Sequence, residues 1–152
     1  MSQKIQRMAW EIYEQNHAEK KIIIAGIGER GFIIARRIAK TLNNISNIKV
    51  KLMNVHLDKI NPSKSSLQDD EIDFKNQTVV LVDDVVKSGK TMMYGVQLLM
   101  RKPLKKLITA VLIDRNYKQY PIKAQVVGLS VSTTMQEHVS VVLGENESVY
   151  LE

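Results

Sequence analysis

Two adjacent carboxylates, Asp83 and Asp84, precede the segment Val85-Val86-Lys87-Ser88-Gly89-Lys90-Thr91, and the residue types divide this stretch into two chemistries. Ser88, Gly89, Lys90 and Thr91 offer a glycine, two hydroxyls and a run of backbone N–H groups where a helix begins, which together cradle a phosphate dianion. Asp83 and Asp84 would repel that phosphate, but carboxylates accept hydrogen bonds well from the hydroxyls of a ribose. A phosphate seat at one end and a cis-diol seat at the other describe a ribose 5-phosphate. Gly89-Lys90-Thr91 could also close a Walker-type P-loop, yet the first glycine of that motif would fall on Asp84, so the P-loop reading fails.

A second run, Gly26-Ile27-Gly28-Glu29-Arg30-Gly31, satisfies the Gly-x-Gly-x-x-Gly pattern of dinucleotide folds. The acid that should follow, Asp58, comes later than the usual spacing of about 20 residues, and Glu29 would crowd a pyrophosphate. That reading also leaves residues 83–91 unexplained. The three histidines, His17, His56 and His138, lie far apart without ligand spacing, and the chain has no cysteine, which excludes disulfides and thiolate zinc sites. Arg36, Arg37, Lys40, Lys49 and Lys51 form one basic stretch and Arg101, Lys102, Lys105 and Lys106 another. Without interleaved aromatics they argue for backbone contacts to RNA at most, and otherwise for solvated faces.

The elements that must position these groups follow from periodicity. Ile5, Met8, Ala9, Ile12 and Tyr13 share one face of a helix that ends near Asn16. Residues 21–25 read as a short apolar strand running into the glycine-rich turn, followed by a helix with Ile34, Ile38 and Leu42 on one face. Residues 50–57 read as a strand, and 58–77 as a long polar loop, a kind that is functional or disordered in a small domain. Residues 78–82 form a β-branched strand buried on both faces, ending at Asp83-Asp84. A helix starts near Lys90, a buried strand covers 107–113, and shorter strands are expected over 124–129, 139–143 and 148–151. Strands alternating with helices predict an α/β fold, an open, mostly parallel sheet with helices on both faces and a small hood. In such sheets ligands bind beyond the carboxyl ends of the strands, which is where residues 83–91 fall.

The 152 residues suit a single domain with one site, and no apolar run approaches the ~20 residues that span a bilayer. The first residues lead into a mixed helix and not into the apolar stretch of a signal peptide, so a cytoplasmic protein is expected. A net charge of +6, from 22 basic and 16 acidic side chains, suits a polyanionic ligand such as a diphosphate or RNA.

Residues 79–91 resemble the phosphoribosyl-diphosphate motif of type I phosphoribosyltransferases. The likeness is nearest to the bifunctional pyrimidine-operon attenuation regulators with uracil phosphoribosyltransferase activity. It extends to Arg7 and Glu11-Ile12, to Gly26-Ile27 with Arg30-Gly31, to Val111-Leu112-Ile113-Asp114-Arg115 with Pro121-Ile122, and to Val127-Gly128 with Ser132-Thr133. The resemblance implies that Asp83 and Asp84 hold the ribose hydroxyls and that Lys87, Ser88, Gly89, Lys90 and Thr91 bind the 5-phosphate, with Val85 and Val86 also among the substrate-binding residues. It implies that Ile27, Gly28, Glu29, Arg30 and Gly31 form the diphosphate loop, with Arg30 supporting the departing diphosphate, and that Val127 and Gly128 belong to a hood over the base. Mg²⁺ would act through diphosphate and ribose oxygens, with Asp83 as a candidate protein ligand. The implied partners are 5-phosphoribosyl diphosphate and a pyrimidine base such as uracil, with a homodimer or higher assembly; the alternative is a nucleotide-sensing regulator that binds RNA. Gly28 and Glu29 stand where the family would carry a lysine and a small hydroxyl residue. A carboxylate 4 Å from a phosphate oxygen costs about 4 kcal/mol at an effective dielectric of 20, so Glu29 must face away, pair with Arg30 or act through the metal. Residues 58–77 take the place of the family's catalytic lid without its tyrosine and arginine, leaving Lys59 and Lys64 as the cationic candidates. At the hood, Leu129 and Ser130 replace polar residues.

Overall fold

The computed structural model describes residues 1–68, 71–134 and 136–152. Helix α1 (Ser2–Asn16) buries Ile5, Met8, Ala9 and Ile12, the face that the i, i+3, i+4 spacing marked. Strand β1 (Lys21–Ile27) runs two residues further than expected and passes directly into α2 (Gly28–Ile45), which buries Ile34, Ile38 and Leu42. There is no turn between them, because Gly28 adopts φ +61 and reverses the chain within one residue. Strands β2 (Lys49–His56), β3 (Ser66–Leu67) and β4 (Thr78–Val86) follow, then α3 (Lys90–Met100), β5 (Lys106–Asp114) and β6 (Val126–Ser130). The hairpin of β7 (Val139–Val142) and β8 (Ser148–Leu151) completes the described elements.

The six-stranded sheet has the order β3-β2-β1-β4-β5-β6. All its pairings are parallel except β2 with β3. Helices α1 and α2 cover one face, where Ile22, Ile24, Val80, Val82, Ile108 and Ala110 meet Met8, Ile34 and Ile38. Helix α3 covers the other, where Ile23, Ala25, Val79 and Leu81 meet Met92 and Leu99. The β7–β8 hairpin adds Val139 and Val141 to the first face, and Glu147 forms an ion pair with Arg37 of α2.

Two expectations are corrected. β4 does not end before Asp83-Asp84; it continues to Val86, because β5 is long enough to pair with it at Asp83↔Val111, Val85↔Ile113 and Val86↔Asp114. Residues 58–77 are not a bare loop either. Asp58 Oδ1 accepts the N–H groups of Ile60 and Asn61, residues Pro62–Lys64 form a 3₁₀ turn, β3 pairs with β2, and Leu67 and Phe74 are buried against the α3-side core. Residues 69 and 70 of that segment lie outside the described residues. No described helix is long and apolar enough to cross a membrane.

Two glycines set the closeness of β1, α2 and β4. A Cβ at Gly26 would lie 2.4 Å from Phe32 Cα, and one at Gly31 would lie 2.8 Å from the carbonyl oxygen of Val82, immediately before Asp83. Backbone stands on backbone here, with no flexible side chain to yield. Gly26→Ala is therefore expected to cost about 1–3 kcal/mol of unfolding free energy. Denaturant melts of the variant against the parent would measure it, and an unchanged midpoint would contradict this packing.

Candidate active site

The open end of the sheet, beyond the carboxyl ends of β1, β2, β4 and β5, holds a cleft with two limbs that meet at Asp83 and Asp84. Alternation along β4 separates the two acids: Val79 and Leu81 face the α3 side with Asp83 following in phase, while Val80 and Val82 face the α2 side with Asp84. Asp84 lies beside α2, its Oδ2 3.6 Å from Arg30 Nη1. Asp83 is 7% exposed, and its Oδ1 accepts the backbone N–H of Asp84 at 2.9 Å. Burial pushes the Asp83 carboxyl well above the usual carboxylate range, and the Asp84 carboxylate beside it pushes further the same way; the Asp84 N–H bond and the charge of Lys59 oppose this.

The first limb, about 300 Å³, contains the turn expected to cradle a phosphate. Gly89 takes φ +91 at the N-cap of α3, where a Cβ would strike Ile122 Cγ2 at 2.6 Å. Glycine there supplies no capping side chain, so of the first N–H groups of α3 those of Thr91 and Met92, which the helix leaves without internal partners, face an anion unencumbered. The turn is fixed from outside: the Ser88 carbonyl accepts the N–H groups of Gln119 and Tyr120 at 2.9 and 3.1 Å, and Ser88 Oγ accepts that of Lys90 at 3.3 Å. Val85, Val86, Lys87, Gly89 and Thr91 line this limb, whereas Ser88 and Lys90 shape the turn without lining it.

The second limb, about 520 Å³, is lined by Ile27, Gly28, Glu29 and Arg30 with His56, Leu57 and Lys59. Thus four of the five expected diphosphate-loop residues face it, and Gly31 is buried behind them against Val82. Glu29 is exposed at its rim, and Arg30 pairs with Asp84 instead of Glu29. Lys59 lines both limbs; Lys64 lines neither. The Asp58 turn, pinned by Ser65 Oγ accepting the Asp58 N–H at 3.0 Å, presents Lys59 to the cleft.

The wall of the first limb across from the cradle consists of Arg115, His138 and Val139, with Met92 at the start of α3. The expected hood residues, Val127 and Gly128, line neither limb. They sit within β6, where a Cβ on Gly128 would meet Leu112 O at 2.5 Å and Met8 Sδ at 3.1 Å, and their carbonyls accept from Arg7 of α1. His138 has no metal-ligand spacing in the sequence, and only Arg115 carries a signal there, next to Asp114 at the end of an apolar strand. Among the described residues no three His, Asp or Glu side chains converge to hold a cation by themselves. Two carboxylates without a third fit Mg²⁺, which keeps several waters and takes one or two carboxylates together with phosphates of its ligand.

Residues 1–144 match the family model of the phosphoribosyl transferase domain. The chain is 37% identical over 150 residues to the bifunctional protein PyrR of Clostridium acetobutylicum, covering 93% of this chain and 84% of that protein. It is 32% identical over 153 residues to the bifunctional protein PyrR of Clostridium kluyveri, covering 95% and 86%. Among solved structures, a hypoxanthine phosphoribosyltransferase of Trypanosoma cruzi aligns with a TM-score of 0.76 at 16% identity, over 91% of this chain and 79% of that one. A hypoxanthine-guanine phosphoribosyltransferase of Bacillus anthracis aligns with a TM-score of 0.68 at 21% identity, over 86% and 76%. At those identities the likeness is one of fold. With a family model spanning nearly the whole chain and the motif seated at the mouth of its sheet, the protein belongs to the phosphoribosyl transferase family, among relatives that include the bifunctional PyrR proteins.

Proposed function

We propose that the cleft binds 5-phosphoribosyl diphosphate and transfers its phosphoribosyl group to a nucleobase of the pyrimidine class. The observation that carries this reading is the meeting of two limbs at one acid pair, with a phosphate cradle in the first and Arg30 and Lys59 in the second. Such a cleft accommodates a ribose whose 5-phosphate and C1 substituent leave in different directions. Asp83 and Asp84 would hold the hydroxyls. Mg²⁺, held by Asp83 with phosphate and ribose oxygens, would supply charge compensation for the diphosphate. In the transfer, the bond from ribose C1 to the diphosphate oxygen breaks, and its electron pair leaves with the diphosphate. A ring nitrogen of the base bonds to C1 and gives up its proton to solvent or to the departing diphosphate. Arg30 and Lys59 lie where negative charge grows on the leaving group, and a cation already in place stabilises it without reorganisation. The resemblance to pyrimidine-operon regulators supports a base such as uracil, a cytoplasmic location and at least a homodimer.

A regulator that binds RNA is the second reading, favoured by the bifunctional relatives. Much of the basic surface is already engaged: Arg37 with Glu147, Lys105 with Glu19, Lys106 with the Gln15 carbonyl, Arg36 over Phe32 and Lys102 over Phe74. Retention of RNA at low salt that falls steeply as salt is added would support this reading, and no retention at the lowest salt would remove it.

Thermal melts with 5-phosphoribosyl diphosphate and Mg²⁺, and separately with nucleoside 5′-monophosphates, test the primary reading. A ligand that binds only the folded chain raises its melting temperature, so no rise with any of them would overturn the proposal. Asp84→Asn is expected to lower affinity or turnover about tenfold or more, because a charged acceptor for the ribose is lost.

Asp83→Asn should separate function from stability. Between about pH 3.9, the unfolded carboxylate value, and the raised value in the folded chain, the folded state keeps a proton that the unfolded state has lost. Stability from this group is full below that window and is lost as pH rises through it. At pH 8 without ligand, Asp83→Asn is expected to melt above the parent while binding the diphosphate more weakly; a lower melting temperature would contradict the burial argument.

A further inference from the structure

His56 is the last residue of β2. Met53 and Val55 of that strand face the α3-side core, so His56, in phase with Leu52, emerges on the α2 side. The last β1–β2 pairing is Ile27↔Val55, which puts His56 one step further on, level with Gly28 at the start of α2. There it is exposed and lines the second limb, and among the described residues its ring makes no hydrogen bond or ion pair.

The charges that face His56 nearly cancel. Arg30 and Lys59 are the cations of this limb, Glu29 and Asp84 its carboxylates, and Arg30 is already paired with Asp84 at 3.6 Å. Asp83, where the limbs meet, holds its proton more tightly than an ordinary carboxyl and adds negative charge as it ionises. Asp58, beside Lys59, accepts two backbone N–H groups within its own turn, and β3 brings the uncharged Ser66 against His56. Lys51 of β2 points the other way, in phase with Met53. Gly28 contributes no charge, and a Cβ there would meet nothing within 4 Å, so the space beside His56 is open. A diphosphate entering this limb therefore meets no surplus of positive charge from the four ionised groups. His56 is the remaining titratable side chain on the limb's wall, and histidine is the residue whose charge ordinarily changes near neutral pH. An uncharged imidazole offers one N–H, whereas an imidazolium offers two and a full charge, and charge-assisted bonds to phosphate oxygens are the stronger ones.

We infer that His56 is a ligand-contacting residue of the second limb, whose imidazolium donates to a diphosphate oxygen, so that the cleft holds the diphosphate more tightly as pH falls and the ring takes up a proton. The inference rests on the phosphoribosyl reading of the cleft. Within that reading the grip on the ribose and 5-phosphate is set in the first limb, which His56 does not line, and stays independent of it.

Titration calorimetry with 5-phosphoribosyl diphosphate and with ribose 5-phosphate, in excess Mg²⁺ at about pH 6 and about pH 8.5, tests it on the parent, His56→Gln and His56→Lys. The quotient of the two affinities isolates the diphosphate, because the 5-phosphate is common to both ligands. In the parent that quotient is expected to fall about tenfold as the pH rises. In His56→Gln it should already be low at the lower pH and change little, and in His56→Lys, a cation at both values, it should stay high. A parent quotient that does not fall would overturn the inference without any variant. So would a His56→Gln quotient that falls as the parent's does, since another group, such as Asp83, would then be responsible. Equal weakening of both ligands in the variants would mark a structural role and overturn it as well. If ribose 5-phosphate fails to bind the parent at either pH, the phosphoribosyl reading itself falls, a result distinct from a flat quotient.

Discussion

β4 is hydrogen-bonded to β1 on one edge and β5 on the other, and its residues from Thr78 to Val82 are buried on both faces. Everything at the site depends on that double enclosure. A strand so held has neither rotational nor sliding freedom, because a one-residue slip would turn its apolar side chains out of both cores. The two acids at its open end inherit that fixity. They carry negative charge to the edge of an apolar interior, and the Asp83 carboxyl is held well above its usual range by burial and by its neighbour. The local environment is destabilising for an empty cleft and favourable for one that receives cations and hydroxyl donors, a common condition of binding sites.

The surroundings of the acids come from five separate stretches. Residues 27–30 and Lys59 shape one limb, while residues 85–91 and the wall of Arg115, His138 and Val139 shape the other. Arg115 links these last two stretches. Its backbone holds Val86 at the start of the cradle, and its side chain holds residues 133, 134 and 137. His138, next in line, exchanges backbone hydrogen bonds with Glu152, so the wall is also tied to the end of the β7–β8 hairpin.

Much of this was legible in the sequence because the signals were local. The helical spacing of Ile5, Met8 and Ile12, the apolar run of residues 78–82 and the grouping of Ser88, Gly89 and Thr91 each reflect constraints within a few residues. Asp83 and Asp84 stood out in the sequence as a candidate ribose seat, but their place inside a strand did not, since the partner that extends β4 lies in β5, 28 positions later at Asp83↔Val111. The wall was less legible for the same reason. Nothing near Arg115 indicates that its guanidinium will be roofed by Thr133 and Thr134, and His138 has no partner at helical or strand spacing. Val127 and Gly128 were placed at the hood by likeness; in the structure Gly128 packs against Leu112 and Met8, Val127 packs on the α3-side core, and both carbonyls accept from Arg7 of α1.

The direct passage of β1 into α2 bears on how the cleft can move. With Gly26 against Phe32 and Gly31 against Val82 O, residues 26–31 have no slack to act as a hinge. The cradle is likewise clamped through Ser88 to residues 119 and 120. Residues 57–68 are held more lightly: they join the sheet through the two-residue strand β3 and carry Lys59 to the cleft with Ile60 open to solvent, so two walls of the cleft are locked by backbone packing and the third hangs on a short pairing.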